Sequence, residues 1–469
     1  MNLQAIGHTM QYEAEQIVLL FFPSHDAVSL QSTLSETKDM LLVTSVATVG
    51  DKTITHTERM KKDLCRTKRD RGNLIKRSAY YALSPLSDMP SPWGILTGVR
   101  PAKLINCYME EGMSEAEIHA LLRDTYLVDE EKIELAMAVA KYEKQFTPKR
   151  DEVCVYIGIP FCPTRCSYCS FIAGAGTPID HETYVNLLCK EIQKTAEIIQ
   201  HLNLRLRAIY IGGGTPTSLS PALLEKLLSH TCHVLAVPKG LEWTVEAGRP
   251  DTIIEEKLQV LKQNGITRIS INPQTLHDDT LRLIGRRHTR EDFFRAFQLA
   301  RQMGFHDINT DLIAGLPGEN FPMFQSTLDE IRALRPESLT IHTLYLKRAS
   351  TMRKSGALPQ PKDAAAMLSY ARRIAAADGY LPYYMYRQKA TVGNLENVGY
   401  ALPGYSSFYN TVTMTDCTHL FALGAGGVSR LLLPDKMVRV FNYKYDDAYV
   451  HNFDHVLRRK EEYLKIASK

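Results

Sequence analysis

The stretch YIGIPFCPTRCSYCSF, residues 156–171, contains three cysteines close together. They are Cys162, Cys166 and Cys169, in the spacing C-x3-C-x2-C. Three thiolates on one short loop can bind three irons of a 4Fe–4S cube and leave the fourth iron open. Zinc is an alternative, but structural zinc usually has four protein ligands, and the nearest further cysteines, Cys154 and Cys189, fall on a predicted strand and a predicted helix. Burial as inert thiols is the other alternative; the spacing favours the cluster.

From residue 153 onward, short apolar runs alternate with amphipathic helical patterns. The predicted strands are Val153–Phe161, Ala208–Gly212, Trp243–Ala247, Arg268–Asn272, Ile308–Ala314 and Leu339–Leu346. The predicted helices between them are Tyr184–Ile199, Pro221–Leu228, Ile253–Gln263, Glu291–Met303 and Met323–Leu334. Six β/α units in succession predict a parallel sheet, either an open barrel or a doubly wound sheet. Functional residues of such sheets lie at the carboxyl ends of the strands, where the cysteine loop falls.

The cysteine loop resembles the cluster-binding motif of the radical S-adenosylmethionine (SAM) superfamily, which has an aromatic residue, here Tyr168, before the last cysteine. The resemblance implies a 4Fe–4S cluster whose open iron chelates SAM, and whose electron cleaves SAM to methionine and a 5′-deoxyadenosyl radical. The run GGGTP at 212–216 matches a second motif, which contacts the amino group of SAM, and it includes Gly213, Gly214 and Thr215. Taken alone, a glycine triplet is equally typical of a tight turn.

Further positions match a narrower group, the oxygen-independent coproporphyrinogen oxidases and their relatives. They are Tyr156 before the first cysteine, Glu246 in TVEAGRP, Gln274 and Arg286 in SINPQTLHDDTLRLIGR, Asp311 in NTDLIAGLPGE, and Val428 in LGAGGVS. Any one of these polar residues, taken alone, is more typical of a structural hydrogen bond at the end of a strand than of a SAM contact. Matches in order and at matching spacing favour the family. The resemblance implies that these residues contact SAM, and the family suggests a second SAM molecule.

Two longer stretches, SPWGILTGVRPAKL at 91–104 and GNLENVGYALPGYSSFYN at 393–410, resemble the HemZ-type coproporphyrinogen dehydrogenase branch of this group. The founding enzymes carry a further cysteine two residues after the third ligand, where this chain has Phe171. Haem-chaperone relatives have an aromatic residue there, together with an HNxxYW-type haem motif. The matching stretch here, residues 408–410, has neither the histidine nor the tryptophan of that motif.

The resemblance implies oxidative decarboxylation of two propionates of coproporphyrinogen III to vinyl groups without oxygen, in haem biosynthesis, with reduced flavodoxin or ferredoxin as electron donor. No side chain is basic enough to deprotonate a propionate C–H bond, so a cofactor must supply the reactivity. Arg249, Arg286 and Arg287 are candidates by position for holding carboxylates. A haem-binding chaperone and another haem-modifying radical SAM enzyme stay open as alternatives. A chaperone could use Cys417 or His419 as axial ligand, although their apolar flanks are more typical of a buried strand.

Composition narrows the class of protein. The 469 residues contain 56 Lys and Arg against 52 Asp and Glu, and this net charge of +4 does not predict a nucleic-acid partner. No apolar run approaches the ~18 residues of a membrane span, and the early run Ile17–Phe22 lacks the basic flank of a signal peptide. We therefore expect a cytoplasmic protein. A basic cluster between Arg59 and Arg71 is typical of a solvated helix face, or of a patch for an anionic substrate or acidic redox partner.

The sequence predicts three parts. Residues 1–150 form an N-terminal α+β accessory domain, with strands at Ile17–Phe22 and Met40–Val49. Residues 151–360 form the radical SAM core, and residues 361–469 a C-terminal substrate-side extension. The predicted fold is therefore α/β: a partial (β/α)6 radical SAM barrel with an N-terminal α+β domain and a small C-terminal α/β extension.

Overall fold

The computed structural model describes residues 1–23, 28–146, 149–169, 179–345, 361–388, 391–434 and 436–467. Phe171 and the predicted boundary at residue 360 lie outside the described residues.

The N-terminal region is built on a four-stranded sheet. Its strands, in spatial order, are Asn2–Ile6 (β1), Val28–Glu36 (β2), Met40–Val49 (β3) and Lys52–Lys61 (β4). Alternating buried and partly exposed residues along β2 and β3 give the sheet one apolar face. The helices Gln11–Phe21 (α1) and Lys68–Leu83 (α2) pack there. Three further helices follow: Pro101–Glu110 (α3), Glu115–Ala120 (α4) and Glu130–Lys144 (α5).

The predicted strand Ile17–Phe22 is wrong, because residues 17–21 belong to α1. Its buried residues Ala14, Ile17, Val18 and Phe21 repeat at helical spacing, which the short apolar run alone does not reveal. The basic cluster is also not one helix face. Its first members lie on β4, at the edge of the sheet, and α2 begins only at Lys68.

An eleven-stranded sheet forms the framework of the remaining chain. Its parallel strands are Glu152–Ile159 (β5), Arg205–Gly213 (β6), Glu242–Val245 (β7), Arg268–Ser270 (β8), Ile308–Ala314 (β9) and Ser338–Thr343 (β10). They pair in sequential order. A doubly wound sheet reverses its strand order at a switch point, whereas sequential order is that of a barrel. The open barrel is therefore the correct alternative.

A helix follows each of these strands. The helices are His181–His201 (α6), Pro221–Val234 (α7), Glu255–Gln263 (α8), Asp278–Leu283 (α9) with Arg290–Gln302 (α10), Phe321–Leu334 (α11) and Pro361–Ala377 (α12). Five of the six units carry the predicted helix, and Pro361–Ala377 completes the sixth. The partial (β/α)6 barrel is confirmed.

The C-terminal residues extend both edges of the same sheet. Beyond β10 lie the antiparallel strands Glu396–Ala401 (β12) and Leu381–Arg387 (β11); beside β5 lie His419–Leu423 (β13), Val428–Leu432 (β14) and Met437–Phe441 (β15). The helix Phe408–Thr415 (α13) packs on β5, β6 and β13. The helices Asp446–His451 (α14) and Phe453–Ala467 (α15) pack on α6. Because these strands share one sheet with the barrel, the division into three domains stays a prediction.

Several polar contacts join the N-terminal region to the C-terminal part of the chain, including those of two acidic side chains. Glu396, on β12, accepts hydrogen bonds from Trp93 Nε1 and Lys132 Nζ, each at 2.7 Å. Asp416, after α13, pairs with Arg100. The stretch 91–104 therefore acts as an anchor between the two regions. Within the ranges given above, the structure has no helix with the length and apolar character of a membrane span.

Candidate active site

The cysteine loop leaves β5 at the carboxyl edge of the sheet, and Arg249 clamps it. Arg249, 2% exposed, donates to Thr164 Oγ1 at 3.0 Å and Thr164 O at 3.3 Å, and its Nη1 lies 3.7 Å from Cys166 Sγ. Its Nε and Nη2 also bond to Asp251, each at 3.0 Å. All three guanidinium nitrogens are engaged. Arg249 therefore orders the loop, and the structure does not support it as a ligand for substrate carboxylates.

The glycine-rich turn after β6 packs against the start of the cysteine loop. Gly214 N and Thr215 N donate to Ile159 O and Phe161 O, each at 2.7 Å. A Cβ at Gly214 would collide with the carbonyl oxygen of Phe161, so the close approach requires glycine. Thr215 Oγ1 lies 3.3 Å from the Sγ of Cys162, whose side chain is exposed. A ligand ammonium group donates hydrogen bonds and accepts none, so it would have to meet carbonyl oxygens here.

Three tyrosine rings line the inner face of β5 and β6. Tyr156 stacks beside Tyr210 and Tyr409, at centroid distances of 6.3 and 6.4 Å, and the last two rings stack at 4.4 Å. Tyr409 comes from α13, whose first N–H groups donate to the carboxylate of Glu242. This helix therefore fixes the ring that supports Tyr156.

Glu246 directly follows β7 and faces these tyrosines. Its Oε1 accepts from Tyr210 Oη at 2.6 Å, and its Oε2 accepts from Gly213 N at 3.3 Å. Burial raises the pKa of Glu246 to about 7, and the charge of Asp311 acts in the same direction. The carboxyl group is therefore poised between its neutral and charged forms near neutral pH.

Asp311, on β9, is held by polar partners from its own strand and from β10. Its Oδ1 accepts from Asn309 Nδ2 at 2.7 Å, and its Oδ2 lies 3.7 Å from His342 Nε2 on β10. Burial acts to raise the pKa of Asp311, but the hydrogen bonds of His342 and Asn309 outweigh it and leave that pKa below its ordinary value. Burial acts to lower the pKa of His342, but the neighbouring Asp311 outweighs that effect and leaves the pKa raised. The two residues form a carboxylate–imidazolium pair beside Glu246.

The remaining residues predicted to contact SAM are Gln274, Arg286 and Val428. Gln274 adopts φ 70°, its N–H donates to Asp311 O at 3.1 Å, and its buried Oε1 lacks a partner among the described residues. Arg286 donates to Asn272 O at 2.5 Å, and its cation acts on the neighbouring Tyr168. Val428 begins β14 and is 36% exposed, two strands from β5. All except Val428 therefore gather around the ends of β5 to β9.

The side chains present fit a 4Fe–4S cluster and SAM. Partial desolvation by the surrounding chain leaves the pKa of Cys162 raised, although Thr215, Arg249 and Arg286 each act to lower it. The buried oxygen of Gln274 is a further group that a ligand could satisfy. In the described part of the chain, no three His, Cys, Asp or Glu side chains are grouped to share one metal ion. The cysteines of a cube ligate separate irons.

The sequence analysis missed Tyr210, Tyr409 and His342. Tyr210 and His342 are polar residues inside predicted apolar strands, and that position was the available signal. Tyr409 had none, because its role depends on where α13 packs. Arg287, a candidate for holding substrate carboxylates, is exposed and lines a cavity beside the cysteine loop, with Thr164 and Arg282, and its role stays a prediction.

Comparison with known proteins identifies the family. Residues 156–331 match the Radical SAM superfamily, which implies a 4Fe–4S cluster and SAM. The oxygen-independent coproporphyrinogen-III oxidase-like protein HemZ of Bacillus subtilis is 39% identical over 426 residues, 87% of this chain and 85% of that protein. Heme chaperone HemW of the same organism is 39% identical over 195 residues, 41% of this chain and 50% of its own.

A solved structure supports the fold. Coproporphyrinogen III oxidase (HemN) from Escherichia coli superposes with a TM-score of 0.54 at 23% identity, covering 68% of this chain and 73% of that one. Together with the extent of the match to HemZ, this places the chain in the radical SAM superfamily, as a member of its oxygen-independent coproporphyrinogen-III oxidase-like family.

Proposed function

We propose that the chain is a coproporphyrinogen dehydrogenase, which converts two propionates of coproporphyrinogen III to vinyl groups without oxygen and yields protoporphyrinogen IX. In each conversion one hydrogen atom passes to the 5′-deoxyadenosyl radical, carbon dioxide leaves, and one further electron passes to an external one-electron acceptor. The observation that carries the proposal is the contact between the cysteine loop and the glycine-rich turn, Cys162 Sγ to Thr215 Oγ1 at 3.3 Å, on the same turn whose Gly213 N donates to Glu246. The names of HemZ and HemN support the choice of substrate.

The three loop cysteines would hold the cluster, and the residues around Glu246 would hold SAM. When bound, the cluster and SAM supply a 5′-deoxyadenosyl radical that removes a hydrogen atom from a propionate. Glu246 and Asp311 can accept hydrogen bonds from the ammonium and hydroxyl groups of SAM. Gln274, Arg286 and Tyr156 supply further polar and aromatic contacts. A second SAM, as the family suggests, is part of the proposal, with Val428 beside it.

The three tyrosines also give the site an aromatic surface. Tyr156, Tyr210 and Tyr409 present aromatic surface on the inner face, which suits the pyrrole rings of the substrate and limits the entry of water. His342 keeps Asp311 charged while the pKa of Glu246 stays near 7, so the two acids can carry different charges at one pH. We place the reaction in the cytoplasm, with reduced flavodoxin or ferredoxin as electron donor.

The haem-chaperone alternative meets an obstacle at its candidate ligands. His419 is 7% exposed, and its Nδ1 accepts from Leu432 N at 3.2 Å. It pairs in register with Val153, at the amino edge of the sheet, opposite the cysteine loop. Cys417 Sγ lies 2.7 Å from Thr415 Oγ1. These contacts support packing rather than haem ligation.

The test is anaerobic incubation of cluster-loaded protein with SAM, dithionite and coproporphyrinogen III. We expect protoporphyrinogen IX, with methionine and 5′-deoxyadenosine formed in step, and no product from the variant that lacks all three loop cysteines. The double variant Cys417→Ala/His419→Ala should keep this activity. Tight stoichiometric haem binding that this double variant loses, with no turnover of porphyrinogen by the natural sequence, would identify a chaperone. Deoxyadenosine formation only with haem would identify another haem-modifying enzyme.

A further inference from the structure

A turn outside the predicted SAM contacts supports the cysteine loop directly. Ser167 N donates to Ile284 O at 2.9 Å, and Thr164 Oγ1 donates to Gly285 O at 3.1 Å. Gly285 has φ 78°, and a Cβ there would lie 3.1 Å from Arg165 O. The turn after α9 and the cysteine loop are therefore in backbone contact.

A surface cavity opens where these two segments meet. Its volume is about 550 Å³. The lining residues are Thr164, Asp278, Arg282, Gly285, Arg286, Arg287, His288 and Thr289. Of the proposed SAM contacts, Arg286 lines the cavity, whereas Tyr156, Glu246 and Asp311 do not, so the cavity adjoins the proposed SAM site without coinciding with it.

The rim of this cavity is exposed and carries positive charge. Arg165 and Arg287 are exposed, and the side chain of Arg282 is 69% exposed. The acids on this rim are Asp278 and Asp279, and Asp279 pairs with Arg282. Leu283 adds an exposed apolar side chain between the arginines. Arginines around an apolar contact are typical of a protein interface.

We propose that this surface, formed by Arg165, Arg282, Leu283 and Arg287, docks an acidic protein that delivers single electrons to the cysteine loop. The inference rests on the proposed function, in which a cysteine-bound cluster must be reduced. In each delivery the donor loses one electron and the cluster gains it. Because the rate of electron transfer falls steeply with distance, the donor must dock close to the loop. Positive charge around the contact attracts and orients an acidic partner.

The basic cluster between residues 59 and 71 carries more positive charge, but its position argues against this role. It lies on β4 and α2, in the N-terminal region, which joins the chain's C-terminal strands through Glu396 on β12. In the sheet, β12 is separated from β5 by the other five parallel strands. The basic cluster therefore begins on a different sheet from the one whose carboxyl edge carries the cysteine loop.

The experiment compares two double charge reversals of equal size, Arg282→Glu/Arg287→Glu on the rim and Arg59→Glu/Lys61→Glu on β4. Reduced bacterial flavodoxin is the probe. Its Kd for the cluster-loaded protein is measured by calorimetry at low and moderate salt, and 5′-deoxyadenosine formation is measured with flavodoxin or with dithionite. Iron content and thermal unfolding verify that each variant folds and holds its cluster.

We expect the rim variant to bind flavodoxin about tenfold more weakly, with a smaller dependence on salt, and to lose most flavodoxin-driven SAM cleavage. Dithionite-driven cleavage should be unchanged, and the β4 variant should behave like the natural sequence. Unaltered flavodoxin affinity in the rim variant, or equal weakening in both variants, overturns the proposal. If the rim variant loses its cluster, Leu283→Asp is measured in its place, with the same two outcomes. Absence of cleavage with dithionite contradicts the proposed function instead, and the Kd values still decide the docking surface.

Discussion

Replacing Glu246 by glutamine should make the SAM-free protein clearly more stable at pH 8 and leave its stability nearly unchanged at pH 5.5. The pKa of this carboxyl is about 7, against an ordinary value of 4.5. Each pKa unit corresponds to about 1.4 kcal/mol, so ionising Glu246 costs about 3 kcal/mol more in the folded chain than in the unfolded one. Between these two values the unfolded chain binds fewer protons, so stability falls as pH rises, with the full penalty present above about pH 7.

Glutamine removes this penalty, but it also weakens the hydrogen bond from Tyr210, which costs about 1 kcal/mol. The penalty is about 3 kcal/mol at pH 8 and about 1.4 kcal/mol at pH 5.5, so the net expectation is a gain of about 2 kcal/mol at pH 8 and of less than about 0.5 kcal/mol at pH 5.5. With unfolding entropy proportional to chain length, the gain corresponds to about 2 °C in Tm.

Thermal unfolding of the cluster-loaded protein, measured anaerobically without SAM across this pH range, gives the difference in Tm. The matched control is Glu256→Gln, an exposed glutamate on α8, which should leave Tm unchanged at every pH. A difference between Glu246→Gln and the natural sequence that stays constant with pH would refute the titration argument. SAM should then stabilise the natural sequence more than the variant, because Glu246 is proposed to accept from the SAM ammonium.

Three further predictions concern the cluster, the binding of SAM, and the ion pair between the N-terminal region and β12. Replacing all three loop cysteines by alanine should abolish iron binding and SAM cleavage. The matched control Cys154→Ala changes a cysteine that is buried in β5, and it should spare both. A brown cluster retained by the triple variant would contradict the assignment of the ligands. Asp311→Ala should weaken SAM binding, measured by calorimetry, about tenfold or more without unfolding the chain; unchanged affinity would return Asp311 to a structural role. Lys132→Met leaves the carboxylate of Glu396 buried without its cation. It should therefore lower the free energy of unfolding, measured in urea titrations, by about 3–5 kcal/mol. A change below about 1 kcal/mol would mean that this ion pair does not anchor the two regions.

The cofactor-binding segment was predictable because its chemistry is local. A cluster loop needs three thiols within a few residues, and GGGTP needs its glycines in sequence because a Cβ at Gly214 has no room. Six apolar runs with intervening helical patterns likewise predict a parallel sheet, since each β/α unit is formed by neighbouring residues. The sequence by itself therefore determined the fold class, the cysteine loop and the matches to the family.

Tertiary structure decided the features that depend on residues distant in sequence. The strand order selected the barrel, and the packing of Gln11–Phe21 against α2 made a helix of an apolar run that predicted a strand. Tyr409 reaches Tyr210 across about two hundred residues of chain because α13 packs on the inner face of the sheet. The charge of Asp311 depends on His342, which only the pairing of β9 with β10 brings near. Burial and long-range charge have no local signal in a sequence, and these two quantities set the pKa of Glu246.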